Sequence, residues 1–201
     1  QINHYPLENF ISPAIQATNI KIILDSTKKI TISAVYCPPS SKQFQQHHFD
    51  DYLESLGQTF ISGGDFNAKN PVWGSLNTTK RGRIVKNAMD TARAYSISGT
   101  SPTHWPTNLS HKPDILDFFI CKGVGADYFR LEDPYESCST HSMLILNFNT
   151  NVIFETKKAH LFNKYTNWQH FRSSLSDNIK INISLKSHSE IDDNVKAFSE
   201  N

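Results

Sequence analysis

Apolar and polar positions follow two rhythms along the chain. Ile20-Lys-Ile-Ile-Leu24 and Ile30-Thr-Ile-Ser-Ala-Val-Tyr36 are rich in β-branched residues and flank the polar run Asp25-Ser-Thr-Lys-Lys29, which predicts a β-hairpin. Pro38-Pro39 stops the second strand and leaves Tyr36 at its end, because proline cannot donate to a ladder. The rhythm then changes: Phe49, Tyr52, Leu53 and Leu56 recur at helical spacing, and Gly57 closes the run. Thr59-Phe60-Ile61 predicts a short strand ended by Gly63-Gly64, and a second helix opens near Arg81 with Ile84, Val85, Ala88, Met89 and Ala92 on one face. Ile115–Cys121 reads as a buried strand interrupted by Asp117, and Met143–Phe148 as the last strand. Residues 1–17 carry few periodic apolar positions and read as a loop with short extended pieces, while 167–175 and 190–198 read as short amphipathic helices in a polar tail.

Strand, helix, strand in that order predicts an α/β layered domain over residues 1–150, with 151–201 as a connector. At 38% hydrophobic residues the chain is lean for a compact domain, which predicts a partly exposed core. Its 20 Lys and Arg balance 19 Asp and Glu, so attraction to a nucleic acid has to be local. That locality exists: between Phe66 and Met89 every charged side chain is positive, namely Lys69, Lys80, Arg81, Arg83 and Lys86, the place where a phosphate backbone would be drawn. Cys37, Cys121 and Cys138 are too few and too scattered for a disulfide framework or a zinc site, which points to a reducing, intracellular compartment. No apolar run reaches the length of a membrane span, and nothing in the sequence indicates an oligomer.

The candidate chemistry centres on Gly63-Gly-Asp-Phe-Asn67. A carboxylate at a strand end, with an amide two residues on, suits phosphodiester chemistry. The carboxylate holds a divalent metal or polarises a water, and the amide orients that water without adding negative charge. Strand alternation would point Asn67 the same way as Asp65 and Phe66 into the core. Asp117 inside an apolar run needs a partner, whether metal, histidine or backbone donor. His141 precedes the last strand, so it shares the strand-end placement of Tyr36, Asp65 and Asn67. His47 and His48 are expected to be solvated.

In this order the motifs Tyr36-Cys-Pro-Pro39, Gly63-Gly-Asp-Phe-Asn-Ala-Lys69, Pro71-Val-Trp-Gly-Ser75, Arg81-Gly82, Pro102-Thr-His-Trp-Pro106, Leu116-Asp-Phe-Phe-Ile120 and Ser139-Thr-His-Ser142 resemble the endonuclease/exonuclease/phosphatase superfamily. The nearest likeness is to the endonuclease domain of Jockey-type non-LTR retrotransposons. The resemblance implies a deoxyribonuclease I-like four-layer α/β sandwich, incomplete at its N-terminus, with a tail like the linker to a reverse transcriptase domain. It also implies a DNA endonuclease using Mg2+ or Mn2+, held mainly by Asp65, that nicks chromosomal DNA in the nucleus to prime reverse transcription. By position, Asp65 would activate the attacking water and Asn67 place it. Tyr36 would lie near the phosphate, Asp117 would orient or polarise a histidine or the metal, and His141 would stabilise charge developing on phosphorus. Thr103 and Ser139 would lie on the phosphate side together with Lys69, Arg81 and Arg83.

Two departures shape the expectation. Thr140 stands where the family pattern Ser-Asp-His has aspartate, and nothing in Gln1–Ala17 resembles the family's first strands with their asparagine and metal-binding glutamate. Weak metal binding and feeble cleavage follow as expectations for this polypeptide. The alternatives are a catalytically dead relic that still binds nucleic acid, or a phosphatase of the same superfamily.

Overall fold

The computed structural model describes residues 2–39, 44–108, 110–133, 139–149 and 166–178. It divides into two compact units, Gln1–Phe154 and Glu155–Asn201. In the second, α3 (Trp168–Asn178) forms where the tail periodicity predicts a helix. The predicted helix over 190–198 and Cys138 lie outside the described residues.

The first unit is built on a mixed seven-stranded sheet. Short strands β1 (His4–Pro6) and β2 (Phe10–Ile11) both pair with β3 (Gln16–Ile23), and the path continues through β4 (Lys29–Tyr36), β5 (Phe60–Asp65), β7 (Asp117–Lys122) and β6 (Tyr95–Ile97). The hairpin read from the sequence is β3–β4, antiparallel from Gln16↔Tyr36 to Ile23↔Lys29. From β4 the chain crosses through α1 (Gln46–Ser55) to β5, which runs parallel to β4, as a crossover helix requires. A three-residue 3-10 turn (Pro71–Trp73) and α2 (Lys80–Ala92) lead to β6.

Two clusters cover the sheet. On one face Phe49, Tyr52 and Leu53 of α1 and Val85, Ala88 and Met89 of α2 pack with Val35, Phe60, Phe118 and Ile120. Each buried Val, Leu, Ile, Phe or Met among them contributes roughly 1.5–3 kcal/mol of transfer free energy. On the other face Ile30, Ile61 and Cys121 meet Phe129, Leu146 and Phe148 of a second, two-stranded sheet, β8 (Phe129–Glu132) with β9 (Ile145–Phe148). The described residues thus give helices, sheet and second sheet in order, an α/β architecture. The exposed apolar residues Ile2, Tyr5 and Ile11 lie in the first eleven positions.

Several local expectations change. β5 does not stop at Gly63-Gly64 but runs on to Asp65, in ladder contact on both sides. The glycines permit the pairing: Gly64 has φ +150, and a Cβ there would sit 1.9 Å from the Val35 carbonyl oxygen. Asp117 does not interrupt a strand; it opens β7 at the rim. β9 is shorter than Met143–Phe148, and its partner β8 was not predicted. His48 is not merely solvated, because its ring accepts the Gln45 amide hydrogen at the start of α1. Among the described residues no helix is long and apolar enough to cross a membrane.

Candidate active site

The C-terminal ends of β4 and β5 and the N-terminal end of β7 meet on one rim of the sheet. The register makes Tyr36 the partner of Asp65, and Asp65 the partner of Asp117. Direct partners across a ladder place their side chains on the same face, so phenol, carboxylate and carboxylate form one row. Phe66, the residue after Asp65, turns into the opposite core. There it stacks on Phe118 at 4.3 Å between ring centroids, and Phe118 stacks on Trp73 at 4.5 Å. This aromatic stack underlies the rim.

Asn67 reaches the row differently from strand alternation. The strand has ended, and Asn67 adopts φ +46, a left-handed conformation that asparagine tolerates better than most residues. The chain therefore folds back, so that the Asn67 amide N–H donates to Asp65 Oδ1 at 2.9 Å and its Nδ2 donates to Oδ2 at 2.6 Å. Nδ2 also reaches the Cys37 carbonyl at 3.1 Å, tying the loop to the end of β4.

Burial raises the Asp65 pKa above the ordinary aspartate value. The Asn67 backbone N–H opposes the rise, Asp117 adds to it, and His141 and Arg81 oppose it. Asp117 Oδ2 accepts from His141 Nδ1 at 2.8 Å, with the carboxylate 20% and the imidazole 34% exposed. An ionised carboxylate has no donor, so Nδ1 carries the proton and Nε2 remains for a ligand. The histidine partner that Asp117 required is thus His141.

The remaining candidates are braces as much as contacts. Thr103 is fully buried, and its Oγ1 accepts the Leu116 and Asp117 amide hydrogens, both at 2.9 Å. It anchors the start of β7 rather than presenting a hydroxyl to a phosphate, since its burial excludes direct contact. Arg81 is half-buried; it donates to the carbonyls of Pro38 at 2.9 Å, Asn67 at 3.4 Å and Cys37 at 3.5 Å, with Phe44 4.6 Å below its guanidinium. Lys69 pairs with Asp114 at 3.0 Å. Arg83 and Lys80 are exposed on α2. Ser139 Oγ accepts from the His141 N–H and donates to its carbonyl, both at 3.0 Å, shaping the turn that delivers His141.

Sequence reasoning passed over Asp114, which is 3% exposed. Besides Lys69 it receives the amide hydrogens of Leu76 and Ile115, so one carboxylate pins three segments around the rim. Its only sequence signal is an aspartate immediately before an apolar strand, which turn chemistry explains equally well.

Asp65 fits one carboxylate of a divalent cation that keeps most of its waters, and a cation there would offset the burial that raises its pKa. Among the described residues no three His, Cys, Asp or Glu side chains cluster as metal ligands.

Residues 30–145 match the model of a family described as endonuclease-reverse transcriptase. Among similar proteins, a probable RNA-directed DNA polymerase from transposon BS of Drosophila melanogaster is 28% identical over 95% of this chain and 21% of its own length. The RNA-directed DNA polymerase from mobile element jockey of Drosophila funebris is 24% identical over 84% of this chain and 18% of its own. The chain therefore spans about a fifth of the length of these relatives. A solved structure, the endonuclease domain of TRAS1, a telomere-specific non-LTR retrotransposon, shares the fold with a TM-score of 0.58 at 19% identity, covering 73% of this chain and 68% of that one.

Proposed function

Since the chain belongs to the endonuclease-reverse transcriptase family, as an endonuclease domain of non-LTR retrotransposon type, we propose that it hydrolyses DNA phosphodiester bonds with Mg2+ or Mn2+. The nick would leave a primer for the reverse transcriptase domain of the same polyprotein, work done on chromosomal DNA and hence in the nucleus.

The observation that carries this reading is the row Tyr36, Asp65 and Asp117, with Asn67 clamped to the first carboxylate and His141 to the second. Asp65 takes the proton of the attacking water. Asn67 fixes which Asp65 lone pairs stay available and offers a neutral amide to the water. Asp117 holds the His141 imidazole with Nδ1 toward its own carboxylate, so that Nε2 faces the phosphate oxygens as negative charge builds there. Tyr36, 44% exposed at the end of the row, donates its phenol hydrogen to the same phosphate. A bound divalent cation would supply Lewis-acid polarisation of a phosphate oxygen. With Asp65 as its carboxylate, millimolar concentrations are the expected requirement. The exposed Lys80 and Arg83 on α2 draw the flanking backbone electrostatically.

Supercoiled plasmid incubated with the protein and MgCl2 tests the proposal. Nicked circles should accumulate, vanish with EDTA, and fail to form with Asp65→Ala. Nicking that survives Asp65→Ala would overturn it.

A further inference from the structure

His104 is an imidazole beside the site for which the mechanism above has no use. It lies between two short bridges, one to Asp114 and one to His141. With Asp114 it exchanges both backbone hydrogen bonds, at 3.0 and 3.1 Å. Toward His141 the bonds fall on the flanking residues: Trp105 N–H to the Thr140 carbonyl at 2.7 Å, and Ser142 N–H to the Thr103 carbonyl at 2.8 Å. His104 and His141 are therefore a non-hydrogen-bonded antiparallel pair, the arrangement that brings side chains closest. Their rings meet edge to face with centroids 4.7 Å apart. The Trp105 indole N–H donates to Ser142 Oγ at 3.1 Å, a second clamp across the same pair of segments.

We propose that His104 is a positioning residue for His141: its ring packs on the His141 imidazole and fixes the plane in which Nδ1 meets Asp117 and Nε2 is left for the substrate. The inference deepens the nuclease reading and rests on it for its functional consequence. A single hydrogen bond to Asp117 leaves the His141 ring free to turn away from that carboxylate, which would break the bond and release the tautomer it sets, and the His104 ring removes this freedom. Burial and the adjacent His141 hold His104 below the ordinary histidine value. With its ring centroid 4.7 Å from that of His141 it serves as an aromatic surface for that ring, and the shape of the ring matters rather than its proton. The backbone of His104 is in turn fixed to Asp114, and Asp114 to Lys69. Loop geometry at Lys69 thereby reaches the catalytic histidine through packed neighbours.

Two measurements on the full chain test this. Long-range proton–nitrogen NMR of the imidazoles, with His141 assigned by His141→Ala, reads the tautomer without needing any cleavage. Wild type and His104→Phe should show His141 fixed with its proton on Nδ1, and His104→Ala should show tautomer averaging. Single-turnover cleavage should fall about 10- to 100-fold in His104→Ala with DNA affinity within about twofold, and stay within about threefold of wild type in His104→Phe. If His104→Ala does not fold, His104→Thr, a strand-compatible residue without a ring, replaces it in both comparisons. A fixed tautomer in all variants, or a phenylalanine variant as impaired as alanine, would overturn the proposal. Absence of cleavage by wild type would overturn the nuclease reading while the NMR comparison still decides the role of His104.

Discussion

Asp65 and Asp117 stand opposite each other at the rim as register partners on β5 and β7, yet each is held by a different donor. Asn67 clamps the first and His141 the second. Two neighbouring carboxylates would repel if both were bare and ionised. On the proposed reading, dividing them between a neutral amide and an imidazole leaves Asp65 to serve as base while Asp117 orients the imidazole.

That division sets a pH dependence. Only ionised Asp65 can take a proton from water, and its pKa is raised above 3.8 by burial first and by Asp117 to a lesser degree. In the metal-free protein the Asp65 carboxylate should therefore show a titration limb lying above 3.8. Asp117→Asn, which removes one raising charge, should move the limb downward. Carboxyl-carbon NMR titration without metal reads both, and an Asp65 limb at or below the ordinary aspartate value would contradict the assignment.

Asp117→Asn should also cut the rate at the pH optimum by about 10²–10⁴, because His141 Nδ1 loses the carboxylate that fixes its tautomer and orientation. Affinity for DNA should be little changed. Burst kinetics separated from binding would show whether the loss lies in kcat, as expected, or in KM.

The basic residues around α2 should separate into two kinds. Lys80→Ala and Arg83→Ala should each lower the salt slope of DNA binding by about one, with the fold intact. Arg81→Ala should instead destabilise the protein by about 1–3 kcal/mol, since it removes a cation shared among the Cys37, Asn67 and Pro38 carbonyls. Arg81→Lys should restore little of that, because an ammonium cannot span three acceptors in one plane. Urea midpoints and fluorescence anisotropy against salt are the readouts.

Gly64→Ala should cost about 3 kcal/mol or more, through a φ that alanine rarely adopts and a Cβ driven into the Val35 carbonyl. A drop in melting temperature of roughly 10 °C would follow. Gly82→Ala, whose Cβ would meet the Lys69 carbonyl oxygen at 1.8 Å, should behave alike and additionally loosen the Lys69 loop.

Much of this arrangement was legible in the sequence where burial follows a period. The β3–β4 hairpin and both helices of the first unit follow from apolar spacing, and Tyr36 at a strand end follows from Pro38-Pro39. What spacing could not show was set by contacts between distant segments. Gly63-Gly64 reads as a terminator, but the pair exists so that β5 can sit against both Val35 and Phe119. β8 was missed because Phe129-Arg-Leu-Glu alternates over only two apolar residues. Thr103 was expected on the phosphate side because nothing local signals that Leu116 and Asp117 will need its oxygen. His104 carried no motif role, and its pairing with His141 is 37 positions away in the chain.

The most direct test is a double-mutant cycle on single-turnover cleavage of a duplex by wild type, Asp65→Asn, His141→Ala and the double variant. If the two residues serve one phosphate as a unit, the double variant should be no slower than the slower single variant, within about threefold. Losses that multiply across the pair would contradict a shared site, and metal-dependent cleavage untouched by either substitution would place the chemistry elsewhere in the molecule.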